Sequence, residues 1–156
     1  MTKTNALRIL DKQKIKYTVY EYENDGHIDG MSVANKLSIN PDEMFKTLVT
    51  IGADKNYYVF VIPINHELDL KLAAKAVSVK SIAMIHVADI NKVTGYIRGG
   101  CSPVGMKKAF KTAIDERINL IDTIYVSAGK IGIQMNLDPK DLIRCTNAQV
   151  CSVCVE

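Results

Sequence analysis

Tyr57-Tyr-Val-Phe-Val-Ile62 carries an apolar or aromatic side chain at every position. A strand with one wet face alternates apolar and polar residues, because successive side chains point to opposite faces. A run without alternation fits a strand covered on both sides. Residues 57–62 are therefore expected inside a sheet with material above and below it. Gly52-Ala-Asp-Lys-Asn56 is the turn before this run, and residues 45–51 form the strand before the turn.

Working outward, residues 4–13 read as an amphipathic helix, with Ala6, Ile9, Leu10 and Gln13 on one stripe. Residues 17–22 follow as a strand rich in aromatic and β-branched side chains. Asn24-Asp25-Gly26 and Gly30 mark a loop, Ser32 is placed as the cap of a helix through Leu37, and Asn40-Pro41 stops that helix. On the other side, residues 68–76 and 88–93 read as helices, the second closed by Gly95. Residues 95–105 hold four glycines and a proline, too punctuated for regular structure. Residues 123–127 and 131–137 form a hairpin about Ala128-Gly129-Lys130. Asp138-Pro139 opens a helix, Asp as N-cap and Pro at the first helical position. Residues 150–155 are a last strand. Helices and strands mix irregularly, which argues against a doubly wound sheet, and no repeat or linker divides residues 1–156, so one domain is expected.

Composition narrows the function. A hydrophobic fraction of 47% and a charged fraction of 24% belong to a folded globular chain. No apolar stretch is long enough to span a bilayer, and Met1-Thr2-Lys3-Thr4-Asn5 lacks the apolar core of a signal peptide. The expected location is the cytoplasm, with no membrane partner. Twenty basic and 17 acidic residues leave a net charge of +3, too mild to announce nucleic-acid binding, and DNA is not expected as a partner. Arg8, Lys12, Lys14 and Lys16, and later Lys107, Lys108 and Lys111, are the local basic clusters. Each reads first as a solvated face.

Familiar catalytic motifs are absent, and His27, His66 and His86 stand far apart. Cys151-Ser-Val-Cys154 has no second ligand pair, so no metal and no cofactor are expected. Three features remain. Lys46 sits at the start of an apolar strand, where a lysine is unusual without a partner. The 95–105 loop, Gly95-Tyr-Ile-Arg-Gly-Gly-Cys-Ser-Pro-Val-Gly105, can turn backbone N–H groups toward an anion or a developing oxyanion. Ser127-Ala-Gly-Lys130 can present a hydroxyl from a tight turn.

Met44-Phe-Lys-Thr-Leu-Val49, Leu68-Asp-Leu-Lys71, Thr94-Gly-Tyr96, Gly99-Gly-Cys-Ser-Pro-Val-Gly105 and Tyr125-Val-Ser-Ala-Gly-Lys130, in that order, resemble the YbaK/EbsC family. These proteins are free-standing relatives of the editing domain of bacterial prolyl-tRNA synthetases. The resemblance runs from the first helix to about Val150. It implies a mixed α/β fold, a curved barrel-like mixed β-sheet flanked by helices. It implies a deacylase of mischarged aminoacyl-tRNA, notably cysteine on proline tRNA, with the acceptor end of the tRNA as partner and prolyl-tRNA synthetase beside it. The matching functional residues are Tyr22, Lys46, Gly99 and Ser127. Tyr22 is chosen over Tyr20 because it precedes Glu23 at the matching distance from Ile15. Gly100, Ser102, Pro103 and Gly129 are the accompanying substrate contacts, with backbone N–H groups near Gly99 and Gly100 as oxyanion donors.

The implied chemistry needs no enzyme nucleophile. The substrate's own thiol attacks its ester while the protein holds the reactive geometry. Cys101 is accordingly a bystander. Two positions depart from the pattern. Ile131 stands where an arginine is frequent, and Gln134 where some members have an aspartate, which bears on amino-acid specificity more than on fold. These departures also motivate a second reading, a non-catalytic module that binds a nucleotide or an aminoacyl-tRNA end beside a synthetase.

Overall fold

The computed structural model describes residues 3–156; Met1 and Thr2, at the head of the segment read above for a signal peptide, lie outside the described residues. In chain order the elements are α1 (Asn5–Lys12), β1 (Tyr17–Glu21), α2 (Gly30–Leu37), β2 (Phe45–Gly52), β3 (Tyr57–Pro63), α3 (Leu70–Ala76), β4 (Ile82–Met84), α4 (Ile90–Thr94), β5 (Lys111–Asp115), β6 (Ile124–Ser127), β7 (Ile133–Leu137), α5 (Pro139–Thr146) and β8 (Gln149–Cys151). No helix among the described residues is long and apolar enough to cross a membrane.

β3 lies between β2, antiparallel to it, and β5, parallel to it, in a five-stranded sheet ordered β4-β2-β3-β5-β8. Its side chains alternate between two cores, which explains the unbroken apolar run. Val59 and Val61 pack with α1, α5 and the second sheet, among Leu7, Leu10, Val126, Met135 and Leu142. Tyr58, Phe60 and Ile62 pack on the other face against Ala73 and Ala74 of α3. Phe60, Val61 and Ile62 are fully buried, each contributing about 1.5–3 kcal/mol by removal from water.

The second sheet has three strands, β1-β7-β6, all antiparallel, with β7 central. Helices flank the sheets as expected, but the strands do not close into a barrel. Among the described residues the two sheets meet through one parallel bridge, Met44 to Tyr125. Beyond it β2 and β6 pair with other strands while remaining neighbours, and this junction positions the site.

Several boundaries differ from the sequence reading. The cap of α2 is Asp29, whose carboxylate accepts from Ser32 N at 3.2 Å and Ser32 Oγ at 2.6 Å. Ser32 sits in the first turn, and Gly30 belongs to the helix. A Cβ on Gly30 would lie 2.7 Å from Ile64 Cγ2, so the glycine permits close packing there. α3 begins after Asp69, leaving Leu68 to bridge Cys154. The last strand ends at Cys151 because the chain then turns to that bridge. β4 and β5 have no counterpart among the expected elements. The Asp138 cap of α5 holds, its carboxylate accepting from Lys140 N at 2.8 Å.

Candidate active site

Where the two sheets adjoin, beside Met44, lies a cleft of about 130 Å³. Tyr22, Lys46, Gly99 and Ser127, from four separate stretches of chain, all line it. Their neighbours in the wall are apolar, including Ile28, Val33, Met44, Phe45 and Ile64, together with the polar Thr47, Cys101 and Gln134. Consecutive residues on a strand face opposite ways, yet both Lys46 and Thr47 contribute. The cleft opens at the edge of β2, since β4 covers that edge only along Thr50, Ile51 and Gly52.

The lining contains a lysine and no Asp, Glu or His. The ion pairs among the described residues join Lys3 to Asp11, Lys36 to Asp25, Arg117 to Asp115 and Arg144 to Asp141, and Lys46 is in none of them. Lys46 is thus the one charged residue of the lining, a residue type suited to a phosphate or a developing oxyanion. Among the described residues no three His, Cys, Asp or Glu side chains gather as metal ligands.

Two loops frame the cleft, and Tyr96 fixes both. Its hydroxyl donates to Val104 O at 2.6 Å, and burial pushes it up to about 12. Its ring would lie 2.8 Å from a Cβ on Gly129, and its oxygen 2.8 Å from one on Gly105. Both glycines have positive φ. Thr94 Oγ1 accepts from Tyr96 N at 3.0 Å and donates to Ile90 O at 2.8 Å, which holds the ring in place. Thr94-Gly-Tyr96 thus builds the frame, a role its residue types do not announce.

Ser127 Oγ accepts from Gly129 N at 3.2 Å. That bond uses a lone pair and leaves the hydroxyl proton for a ligand. Gly99 has φ +88°, and a Cβ there would meet Ile28 Cδ1 at 2.9 Å and Ile131 Cγ1 at 3.4 Å. Ile131 therefore packs beside Gly99 as an apolar wall. Of the two candidate tyrosines, Tyr22 lines the cleft, with Lys36 Nζ 5.9 Å from its ring centre. Tyr20 instead packs edge-on against Tyr125, ring centres 5.4 Å apart.

The four accompanying residues lie outside the lining. Gly100 packs against the β6–β7 turn, where a Cβ would lie 2.8 Å from Ile131 N. Its N–H donates to Ile97 O at 2.9 Å to close the loop and is already engaged there. The Gly129 N–H is committed to Ser127. Ser102 is fully buried, its Oγ accepting from Val104 N at 3.2 Å. Pro103 faces a different groove, beside Lys12 and Lys108. Besides apolar wall residues such as Ile28, Val33 and Ile64, sequence reasoning missed the polar Thr47, since a threonine in a strand signals only β-propensity.

Cys101 lines the cleft, but burial pushes its thiol up to about 11. With no histidine in the wall to take its proton, it stays a thiol at neutral pH.

Residues 30–145 match the model of the aminoacyl-tRNA editing domain. A protein of Enterococcus faecalis (strain ATCC 700802 / V583), provisionally named Cys-tRNA(Pro)/Cys-tRNA(Cys) deacylase EbsC, is 45% identical over 152 residues, covering 97% of this chain and 93% of that protein. A solved structure described as a trans-editing enzyme for prolyl tRNA synthetase, also provisionally, superposes with a TM-score of 0.85 at 22% identity over 100% of both chains. The hypothetical protein APE2540 superposes with a TM-score of 0.89 at 18% identity over 97% of this chain and 100% of that one. These two likenesses concern the fold. The family match spans most of the chain, including Lys46, Gly99 and Ser127, and the EbsC likeness covers nearly all of it, so the chain belongs to the aminoacyl-tRNA editing domain family, among the YbaK/EbsC-type deacylases.

Proposed function

We propose that this chain removes cysteine from misacylated proline tRNA, using the substrate's thiol in place of an enzyme nucleophile. One observation carries the reading: Tyr22, Lys46, Gly99 and Ser127 converge on one cleft whose lining includes a lysine and no carboxylate. The EbsC likeness supports cysteine as the amino acid.

In the proposed reaction the cysteinyl sulfur attacks the ester carbonyl. A C–S bond forms, the ester C–O bond breaks, and the thiol proton passes to the departing ribose oxygen, leaving a cyclic thiolactone. Holding sulfur and carbonyl together supplies much of the acceleration. The Gly99 N–H and the Ser127 hydroxyl donate toward the developing oxyanion. Lys46 neutralises charge on it or on the terminal phosphate, and Tyr22 orients the terminal nucleotide. The raised Cys101 thiol is a poor rival nucleophile. Prolyl-tRNA synthetase is the proposed partner, because a domain with a net charge of +3 cannot grip both the acceptor end and the distant anticodon.

The experiment is a deacylation panel with the purified chain and tRNAs charged with cysteine, alanine, serine and proline. Cysteine should leave fastest, with thiolactone recoverable from the reaction. Release of none of the four above the buffer rate would contradict the proposal.

A further inference from the structure

Among the described residues, the buried side-chain oxygens that lack a hydrogen-bond partner are Thr47 Oγ1 and Gln134 Oε1. Both residues line the cleft. Gln134 is 7% exposed and sits on the central strand β7, paired with Tyr20 on one side and Ser127 on the other. Thr47 is on β2. Buried polar groups in folded proteins are nearly always satisfied, and the exceptions collect where a ligand completes them. Both groups are carried on strands, so they are held rigidly.

We infer that Thr47 and Gln134 form a neutral subsite that selects a substrate side chain ending in a hydrogen-bonding thiol or hydroxyl over one ending in a methyl group. This rests on the proposed function and adds what the cleft reads in the amino acid. The α-ammonium is the other donor such a substrate offers, but it is charged. The lining has no carboxylate to receive it, and Lys46 repels it. A neutral thiol or hydroxyl suits a threonine hydroxyl and an amide, since it donates and accepts and so satisfies the amide in either orientation. The apolar wall of Val33, Met44 and Ile64 fits the short carbon stem of the same side chain. A methyl group of similar size fills the space and leaves both oxygens unpaired, the situation in which polar sites discriminate best. An aspartate at position 134 would repel a thiolate, whereas the glutamine carries no charge.

The test uses stable amide-linked 3′-aminoacyl-adenosine analogues bearing cysteine, serine or 2-aminobutyrate, the last being cysteine with a methyl in place of the thiol. Binding to the full chain is measured by calorimetry, so no turnover is required. Wild type should bind the cysteine and serine analogues roughly tenfold more tightly than 2-aminobutyrate. Thr47→Val with Gln134→Leu should bring the three within about twofold, while Thr47→Ser, which keeps the hydroxyl, preserves the preference. Equal binding of cysteine and 2-aminobutyrate by wild type, an unchanged ratio in a folded double variant, or no binding of any analogue overturns the inference. The wild-type ratio decides by itself if the double variant does not fold. A preserved ratio alongside a failed deacylation panel would instead overturn the proposed function alone.

Discussion

Asp115 and Gln134 are both polar side chains withdrawn from water, and the protein treats them in opposite ways. Asp115, at the end of β5, is 0% exposed. Its carboxylate accepts from Arg117 N at 3.1 Å, Arg117 Nη1 at 3.1 Å and Val153 N at 3.2 Å. Gln134 in the cleft has an oxygen with no partner. The first arrangement locks the carboxy-terminal segment onto the five-stranded sheet. The second leaves hydrogen-bonding capacity for a substrate. Burial alone therefore does not separate structural from functional polar groups here; satisfaction does.

The largest expected effect falls on the satisfied region. Asp115→Ala strips the acceptor from Arg117 and the buried Val153 N–H, and should destabilise by about 3–5 kcal/mol in denaturant titrations. Burial pushes the Asp115 carboxyl upward, but the hydrogen bonds from Arg117 and Val153 outweigh it and hold the group below its ordinary value. With the folded value below the unfolded one, this contribution is present above about pH 4 and is lost as pH falls through the folded value. Asp115→Asn should accordingly flatten the acid limb of a stability–pH curve. An Asp115→Ala chain as stable as wild type would erase the contrast between the two regions.

Gln134→Leu should behave oppositely. It removes an orphan acceptor, so stability should change by less than about 1 kcal/mol, in either direction. A loss like that of Asp115→Ala would show that Gln134 is a structural residue. The smallest effect is expected at Cys101, a thiol in the same cleft held up at about 11. Cys101→Ala should leave single-turnover deacylation within about threefold of wild type. A thousandfold loss, the scale of a removed nucleophile, would move the chemistry onto the enzyme.

The two regions were also unequally legible in the sequence. β3 is apolar on both faces, so its residues declared a covered strand. β5 was silent because Lys111 and Asp115 bracket only three uncharged residues, and a buried aspartate reads as an exposed one until its donors are known. Asp29 and Ser32 are both good caps three residues apart, and only the backbone shows which one holds the helix. In the cleft, Lys46, the loop holding Gly99, and Ser127 stood out by their local chemistry, while Tyr22 and the grouping of all four came only through the family resemblance. Their meeting depends on two sheets coming together at Met44 and Tyr125, a long-range event with no local signal. Gln134 stood out as a departure from a pattern, while its lack of a partner is a property of the folded chain alone.

The central claim is that the unpaired charge of Lys46 serves the reaction and not the fold. Single-turnover deacylation of cysteinyl-tRNA(Pro) by wild type, Lys46→Ala and Lys46→Arg, with thermal melts alongside, tests it most directly. Lys46 forms none of the ion pairs among the described residues, so Lys46→Ala should melt close to wild type. It should lose roughly 2–4 kcal/mol of transition-state stabilisation, about a hundredfold or more in rate. Lys46→Arg keeps the charge with a different shape and should recover only part of that loss. A folded Lys46→Ala chain that deacylates at the wild-type rate would contradict the account.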